Sequence, residues 1–228
     1  MKRYLFCLMV TLPFSAHAEN FDWSGCSVGL SAGYGQGNNS WTTTYFSGTT
    51  YNDYAGSAHS GGALAGGQLA CDMQRSNWVM GVQGSLYGAN LTGDNQYING
   101  TSPTDRIRYK TNGLLTLAGR AGYLFTPQTL VYAKAGWAWA NNEYHDADPN
   151  GGPASDYRAS KVRDGWLVGL GVEYRYTQKM SLFAELNKMY LGTQTLHLVD
   201  TLGGGVTDYQ AKVDQDLTTL MVGFNYRF

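Results

Sequence analysis

The C-terminal residues alternate as a β-strand with an aromatic outer face: Met221-Val222-Gly223-Phe224-Asn225-Tyr226-Arg227-Phe228. One face of this strand carries Val222, Phe224, Tyr226 and Phe228, and the other carries smaller or polar residues. An exposed aromatic strand edge is an aggregation hazard in a soluble protein. In a lipid bilayer the same strand pairs with the first strand of the chain and leaves no open edge. The stretch therefore predicts the closing strand of a membrane-spanning β-barrel.

The N-terminal segment has the three parts of a secretory signal peptide. Two positive residues precede an apolar stretch over residues 4–14, which is too short to span a bilayer. Ala16-His17-Ala18 then satisfies the small-x-small rule for cleavage. We therefore expect a signal peptide over residues 1–18 and a mature barrel domain over residues 19–228. A buried first strand or an anchor helix is the alternative interpretation of this segment.

The composition agrees with strands that have one apolar and one polar face. The 228 residues include 30 Gly, 17 Tyr and 6 Trp, yet the hydrophobic content is an ordinary 43%. Without the predicted signal peptide, 14 basic residues stand against 17 acidic ones, a net charge of −3. A chain with this charge lacks the basic footprint of a nucleic-acid-binding protein, so we expect no nucleic-acid partner.

A period of two runs through the chain, and apolar stripes of helical period are absent. We predict eight strands, each long enough for a tilted membrane strand of about 9–11 residues. Their predicted bounds are 23–34, 62–73, 78–89, 114–125, 130–140, 165–176, 180–191 and 217–228.

The predicted connections alternate in length. Three are short turns, at residues 74–77, 126–129 and 177–179. Four are long and polar, at residues 37–60, 91–113, 141–164 and 192–216. Long structureless loops argue against an ordinary soluble domain, whereas short periplasmic turns and long surface loops are typical of outer-membrane barrels. The predicted fold is all-β: a monomeric, eight-stranded, antiparallel, up-and-down transmembrane β-barrel.

This topology sorts thirteen aromatic residues into two belts, all predicted to face outward. The periplasmic belt comprises Trp23, Trp78, Tyr123, Phe125, Tyr174, Tyr176, Tyr226 and Phe228. The outer belt comprises Tyr34, Trp137, Trp139, Trp166 and Tyr190. Aromatic girdles mark the two interfaces of a membrane barrel. The alternative, a soluble eight-stranded barrel such as a lipocalin, has no reason to sort its aromatic residues by height.

Short motifs in the strands resemble the small outer-membrane β-barrel proteins of the Omp25/Omp31 porin-like family of α-proteobacteria and, more loosely, the OmpA transmembrane domain. They include Trp23-Ser24-Gly25, Arg120-Ala121-Gly122-Tyr123, Gly169-Leu170-Gly171-Val172-Glu173-Tyr174 and the closing residues 222–228. The resemblance implies an integral protein of the Gram-negative outer membrane, in contact with lipid and lipopolysaccharide. It also implies that Phe228 belongs to the signal read by the outer-membrane assembly machinery. The family has an acidic residue where Gln83 stands.

The inward positions of the strands carry charges of both signs. An eight-stranded barrel has room inside only for side chains, so buried charges must pair. We predict a polar lumen network that comprises Gln83, Arg120, Lys134, Glu173 and Glu185. Lys134 and Glu173 are predicted to be direct cross-strand neighbours. The network is interpreted either as a static polar core, which the barrel width favours, or as a gate that exchanges ion partners and passes ions.

The mature chain has three histidines, His59, His145 and His197, each in a different predicted loop. They are candidates for a metal or haem site, and some relatives of the resembled family are described as haem binders. Their spacing matches no metal-binding motif, so three solvated loop residues are the alternative, and we predict no resident cofactor. No nucleophile motif accompanies them, and we predict that the protein is not an enzyme.

Cys26 and Cys71 are the only cysteines of the predicted mature chain. Both are predicted to face outward near the periplasmic ends of neighbouring strands, where directly opposite residues are close enough for a disulfide. The periplasm is oxidising, which favours the bond. Two free, lipid-facing thiols remain the alternative.

From these features we predict a structural, surface-exposed role with loop-mediated contact to host or environment. A small-solute or ion pore is the rival function, and haem or metal binding by the loops is the third.

Overall fold

The computed structural model describes residues 21–46, 48–96, 106–148, 155–200 and 209–228. The predicted signal peptide, residues 1–18, lies outside the described residues. Within them, eight strands follow one another: β1 (Gly25–Phe46), β2 (Thr49–Arg75), β3 (Trp78–Gln96), β4 (Arg106–Thr126), β5 (Thr129–Asp148), β6 (Ser155–Arg175), β7 (Met180–Asp200) and β8 (Tyr209–Arg227). The described residues contain no helix long and apolar enough to cross a membrane.

The strands form a closed antiparallel barrel in which each pairs with its neighbours in chain order. β8 pairs with β1 from Ser27–Arg227 to Phe46–Tyr209 and closes the wall. The backbone N–H of Phe228 adds a hydrogen bond of 3.0 Å to the carbonyl of Cys26. The predicted eight-stranded up-and-down barrel is therefore confirmed.

The barrel is strongly sheared. A row of paired residues that leaves β1 at Ser27 passes once around the barrel and returns to β1 at Gly37, ten residues further along. Strands must tilt to allow this stagger, and the interior of such a barrel is just wide enough for side chains. Residues at equal distance from the periplasmic turns are therefore not opposite one another on neighbouring strands that no periplasmic turn joins, such as β5 and β6.

The membrane strands begin and end close to the predicted periplasmic turns, but they extend much further on the other side. Segments predicted as long surface loops are largely strand, including most of residues 37–60 and 192–216. These extensions are rich in Gly, Asn, Ser and Thr. Their outward side chains are exposed, whereas the inward ones nearest the membrane, such as Asn39, Tyr109 and Asn142, are buried. Their ladders continue above the membrane, except between β6 and β7, where pairing stops at Trp166–Tyr190 and resumes at Arg158–Val199. The extended parts of the eight strands are called the collar.

The alternation of the strands agrees with the predicted inward and outward faces. On β8, Val222, Phe224 and Tyr226 are exposed, whereas Asn225 and Arg227 are buried. On β6, Leu170 is 64% exposed and its neighbour Gly169 is buried. The exposed apolar residues therefore cover the outer surface of the barrel, which is the surface that contacts lipid.

Candidate functional site

The inward side chains of the periplasmic half form a buried ionic network. The guanidinium of Arg120 donates two hydrogen bonds to the carboxylate of Asp72 and a third, of 3.2 Å, to Glu173. Arg227 donates to the same Asp72 carboxylate at 3.0 Å. Glu173 in turn accepts a hydrogen bond of 2.9 Å from the amide of Asn225. Asp72 is therefore the shared acceptor of two arginines, which ties the closing strand β8 to β2 and β4.

A second ion pair lies beside the first. Lys134 Nζ is 2.5 Å from Glu185 Oε2, and both side chains are almost completely buried. The other carboxylate oxygen of Glu185 accepts hydrogen bonds from Tyr132 Oη at 2.7 Å and from Gln83 Nε2 at 3.0 Å. Gln83 also donates to Gln68, so the amide side chains bridge β2, β3 and β7.

The structure thus brings together Gln83, Arg120, Lys134, Glu173 and Glu185, but not in the predicted pairs. The direct pairing of Lys134 with Glu173 is wrong, because Lys134 lies opposite Gly169 and Glu173 lies opposite Leu130. The shear of the barrel causes this shift of four residues on β6. Three cations, on Arg120, Lys134 and Arg227, face the carboxylates of Asp72, Glu173 and Glu185 in these ion pairs.

Sequence reasoning assigned no role to the hydroxyl of Tyr132 and gave Asp72 no part in the network. The alternation of β5 places Tyr132 inward, but no residue near it in the sequence indicates a hydrogen bond to Glu185. The inward alternation of Asp72 was the available signal, because a buried carboxylate requires a cationic partner. Arg120 also stacks over the Tyr132 ring, at 5.1 Å from its centroid.

An apolar layer lies in the lumen above the ionic network. Its buried inward side chains form one hydrophobic cluster and come from all of the strands except β1: Leu64, Tyr87, Leu91, Leu114, Ala118, Ala138, Ala140, Leu167, Met189, Leu191, Leu217 and Met221. Leu91, Leu167 and Leu191 are no more than 1% exposed. The apolar layer interrupts the polar core predicted from the sequence, and buried polar side chains follow again above it, where Asn142 accepts a hydrogen bond from Thr111 at 2.6 Å and donates one to Gln215 at 2.8 Å.

The periplasmic mouth is closed by the segment that precedes β1. Trp23, predicted for the lipid-facing girdle, is instead 0% exposed inside the barrel, together with Phe21. Its indole N–H donates to the carbonyl of Pro127 at 3.1 Å, and Arg175 and Arg227 lie over its ring. The prediction for Trp23 is wrong because the regular strand starts two residues later, at Gly25. That residue has φ +115°, a backbone conformation that reverses the direction of the chain.

The other twelve aromatic residues of the predicted belts face outward at two levels. The periplasmic level has Trp78, Tyr123, Phe125, Tyr174, Tyr176, Tyr226 and Phe228, and Trp78 packs edge-on against Tyr123 at 5.4 Å. The outer level has Tyr34, Trp137, Trp139, Trp166 and Tyr190, and Trp166 stacks on Tyr190 at 4.3 Å. The outer wall between these levels is apolar, as a bilayer core requires.

The three candidate metal ligands lie on strands and not in loops. His59 is in β2, His145 in β5 and His197 in β7, which are not neighbouring strands. His59 is exposed, and its Nδ1 lies 2.5 Å from Asn38 Oδ1. The side chains of His145 and His197 fall outside the described part of the structure. Among the side chains that are described, no cluster of three or more His, Cys, Asp or Glu residues is arranged to hold a metal ion.

Cys26 and Cys71 lie directly opposite each other on β1 and β2 and are joined by a disulfide. Both are half-exposed on the outward face, near the periplasmic rim. The bond lies next to the strand pair that closes the barrel, since Cys26 also accepts the hydrogen bond from Phe228.

A closed barrel with an apolar outer band between two aromatic girdles is the architecture of an integral outer-membrane protein. The chain belongs to the outer membrane protein beta-barrel domain family, which it matches over residues 4–228. It is accordingly a protein of the Gram-negative outer membrane, surrounded by lipid and lipopolysaccharide.

The sequence is 28% identical to the 31 kDa outer-membrane immunogenic protein of Brucella melitensis, over 95% of this chain and 88% of the relative. This relative confirms the resemblance to the Omp25/Omp31 family. The fold is similar to that of the outer membrane protein OprG from Pseudomonas aeruginosa, with 13% identity, a TM-score of 0.59 and coverage of 92% of this chain and 98% of OprG. It is also similar to the outer membrane protease OmpT from Escherichia coli, with 10% identity, a TM-score of 0.55 and coverage of 90% and 97%. At such low identity these two structures show the fold alone.

Proposed function

We propose that the protein is a non-conducting, non-enzymatic monomer that anchors an extracellular β-collar in the outer membrane and uses it to contact host or environmental surfaces. The observation that carries this proposal is the occluded lumen. Buried inward side chains occur from the periplasmic mouth to the collar, so the barrel serves as an anchor for the surface that it displays.

Three successive barriers in the lumen support a non-conducting barrel. Trp23 occupies the periplasmic mouth, the Asp72–Arg120–Glu173 network lies at the next level, and the apolar layer lies above that network. An ion that crossed the apolar layer would lose its hydration shell without a compensating partner, and narrow apolar constrictions exclude water. Rearrangement of the ion pairs alone would therefore not open a path, which disfavours the ion-exchange gate.

The extracellular strand extensions support a role in surface contact. Their outward side chains on β1 and β2 are polar and exposed, among them Gln36, Asn38, Ser57 and His59. Asparagine, glutamine and serine form hydrogen bonds with sugars, proteins and water alike. This surface suits contact with a polar partner such as a host-surface glycan or protein.

Two observations favour a non-enzymatic role. The exposed His59 has a neutral amide, Asn38, as its hydrogen-bond partner, and an amide does not act as a general acid or base. The likeness to an outer membrane protease is one of fold, at 10% identity. Assembly of the barrel through the outer-membrane assembly machinery is part of the proposal, with Phe228 as the terminal residue of the recognised strand.

Planar-bilayer recording on the refolded protein tests the closed lumen, and we expect no stepwise conductance. A variant that lacks residues 19–24 is the matched control, because the apolar layer keeps it closed as well. Stepwise conductance of the unmodified protein would reject the proposal in favour of the pore. A haem titration followed by absorbance addresses the third candidate, and a saturable Soret shift that His59→Ala abolishes would favour it.

A binding screen on host-surface glycans and proteins tests surface contact. The informative variant replaces residues 149–154 with a Gly-Ser linker of equal length. We expect lower binding with an unchanged amount of folded barrel. Binding that persists after replacement of each segment joining the extracellular strand ends, and after substitution of Gln36, Asn38 and His59 by Ala as well, would contradict the proposed role of the collar.

A further inference from the structure

A groove crosses the lipid-facing side of the wall from β3 to β8. It has a volume of about 800 Å³, and its lining is almost entirely apolar. The floor consists of small, exposed, outward residues on β4 and β5: Gly119, Ala121, Ala133 and Ala135. A Cβ atom added at Gly119 would meet no atom within 4 Å, so the groove is open space on the outside of the barrel, separate from the lumen.

Large side chains border the floor on both sides. On β4, Leu117 and Tyr123 lie two residues above and two residues below the small pair, and on β5 Trp137 and Val131 occupy the same positions. The groove follows the rows of paired residues between these borders. Because such rows climb around a sheared barrel, it rises obliquely from β3 towards the outer girdle at β7 and β8.

The upper end of the groove carries an ion pair on the outward face. Lys188 lines the groove two residues below Tyr190 of the outer girdle, and its Nζ is 2.8 Å from Asp216 Oδ2. About a third of each of these two side chains is exposed. A second carboxylate, Asp164, lies in the same girdle and accepts a hydrogen bond of 3.2 Å from the indole of Trp137. One ammonium and two carboxylates therefore surround the place where the apolar groove reaches the headgroup level.

We propose that the groove binds an acyl chain of a zwitterionic phospholipid whose headgroup lies on Lys188 and Asp216. The phosphate of such a lipid pairs with the ammonium of Lys188, and its own ammonium pairs with the carboxylate of Asp216. Charge complementarity selects this occupant, because the phosphates of an anionic lipid such as lipid A would be repelled by Asp164 and Asp216. The site lies below the collar and is independent of the proposed surface contact.

The length of the groove agrees with an acyl chain that starts at this ion pair. Lys188 on β7 and Gly119 on β4 belong to one row of paired residues, which passes through Val168 and Ala135. Three strand spacings of about 4.8 Å place them roughly 14 Å apart along the wall. The hydrocarbon of one leaflet is about 15 Å thick, half of a core of about 30 Å. A chain of that length therefore ends over the small residues of β4 and β5, where the wall leaves room for it.

Native mass spectrometry of the refolded, unmodified protein tests the headgroup assignment. The protein in detergent receives phosphatidylethanolamine, phosphatidylglycerol and lipid A in equal amounts. We expect one bound phosphatidylethanolamine per chain, preferred over phosphatidylglycerol by about fivefold, the upper value for one partly exposed ion contact. Equal binding of the three lipids would overturn the role of the ion pair, and a preference for lipid A would overturn the choice of a phospholipid.

Asp216→Asn tests the headgroup contact separately. It removes the carboxylate and leaves the ammonium of Lys188, so the preference should shift from phosphatidylethanolamine towards phosphatidylglycerol. An unchanged preference would overturn the assignment of Asp216 to the headgroup ammonium.

Gly119→Leu tests the acyl-chain contact, because its side chain occupies the volume that the lipid chain takes. It should lower the bound fraction of phosphatidylethanolamine by about fivefold or more. Gly84→Leu is the matched control: Gly84 also faces outward, on the neighbouring β3, and a Cβ there meets no atom closer than 3.9 Å, but Gly84 does not line the groove. Heat-modifiable migration shows whether both variants are folded. Equal lipid binding by the two folded variants would overturn the groove as the site, and the lipid competition on the unmodified protein decides the headgroup without any variant.

Discussion

A double-mutant cycle on Lys134 and Glu185 tests the arrangement of the lumen network. Lys134→Met leaves the Glu185 carboxylate buried but still hydrogen-bonded to Tyr132 and Gln83, so we expect the low end of the cost of breaking a buried pair, about 3 kcal/mol. Glu185→Gln leaves a buried ammonium whose described partner was Glu185, so we expect the high end, about 5 kcal/mol.

The double variant removes both charges and should cost little more than the larger single change. The coupling free energy is then about 2–3 kcal/mol, at the upper end of values for contacting residues. Urea unfolding of the refolded protein in detergent, followed by tryptophan fluorescence and by heat-modifiable migration, supplies the four unfolding free energies.

A second cycle on Lys134 and Glu173 is the matched control, because these residues share the network but do not contact each other. It should give a coupling below about 1 kcal/mol. Additive effects for Lys134 with Glu185, or equal coupling in both cycles, would refute the assignment of ion partners from the sheared register.

Three further predictions concern the wall and its closure. Leu170→Arg should destabilise the folded barrel by about 2–4 kcal/mol because it places a charge in the bilayer, whereas Val162→Arg, on the same face of β6 but above the outer girdle, should cost less than about 1 kcal/mol; equal unfolding free energies in lipid vesicles would contradict the placement of the bilayer. Thiol labelling of denatured, unreduced protein should find no reactive thiol, since Cys26 and Cys71 are bonded, and two labels per chain would disprove the disulfide. Deletion of Phe228 should lower the amount of heat-modifiable barrel in the outer membrane because the closing strand loses its last hydrogen bond to β1, and wild-type amounts after deletion would count against this role.

The sequence predicted the membrane part of the fold because lipid imposes a strict alternation there. Val222, Phe224 and Tyr226 face outward for the same reason that Asn225 and Arg227 face inward, and a slip by one residue would reverse both sets. The extracellular halves of the strands carry no such constraint. Their polar, glycine-rich residues have the composition of loops, and only the continuation of the hydrogen-bonded ladder identifies them as strands.

The errors in the candidate site have two physical causes. The partner of Lys134 depends on the shear of the barrel, which is a property of the whole closed sheet and cannot be read from distances to the nearest turn. The burial of Trp23 depends on where β1 begins, and a single glycine, Gly25, ends the alternation that placed the indole outside. Strand ends are the least determined part of a sequence-based prediction because local patterns do not register them.

The collar also separates the residues proposed to contact other surfaces from the residues that anchor the barrel in the membrane. On β5 the ladder continues from Trp139 to Asp148, and at a rise of about 3.3 Å per residue and a tilt of about 40° these nine residues climb roughly 20 Å above the membrane. The extracellular end of β5 is thereby held roughly 20 Å above the outer girdle by a hydrogen-bonded sheet. Insertions and exchanges at that distance leave the girdles, the ionic network and the closing strand untouched. Substitutions at the extracellular strand ends can therefore change what the protein binds without changing the stability of the barrel in the membrane.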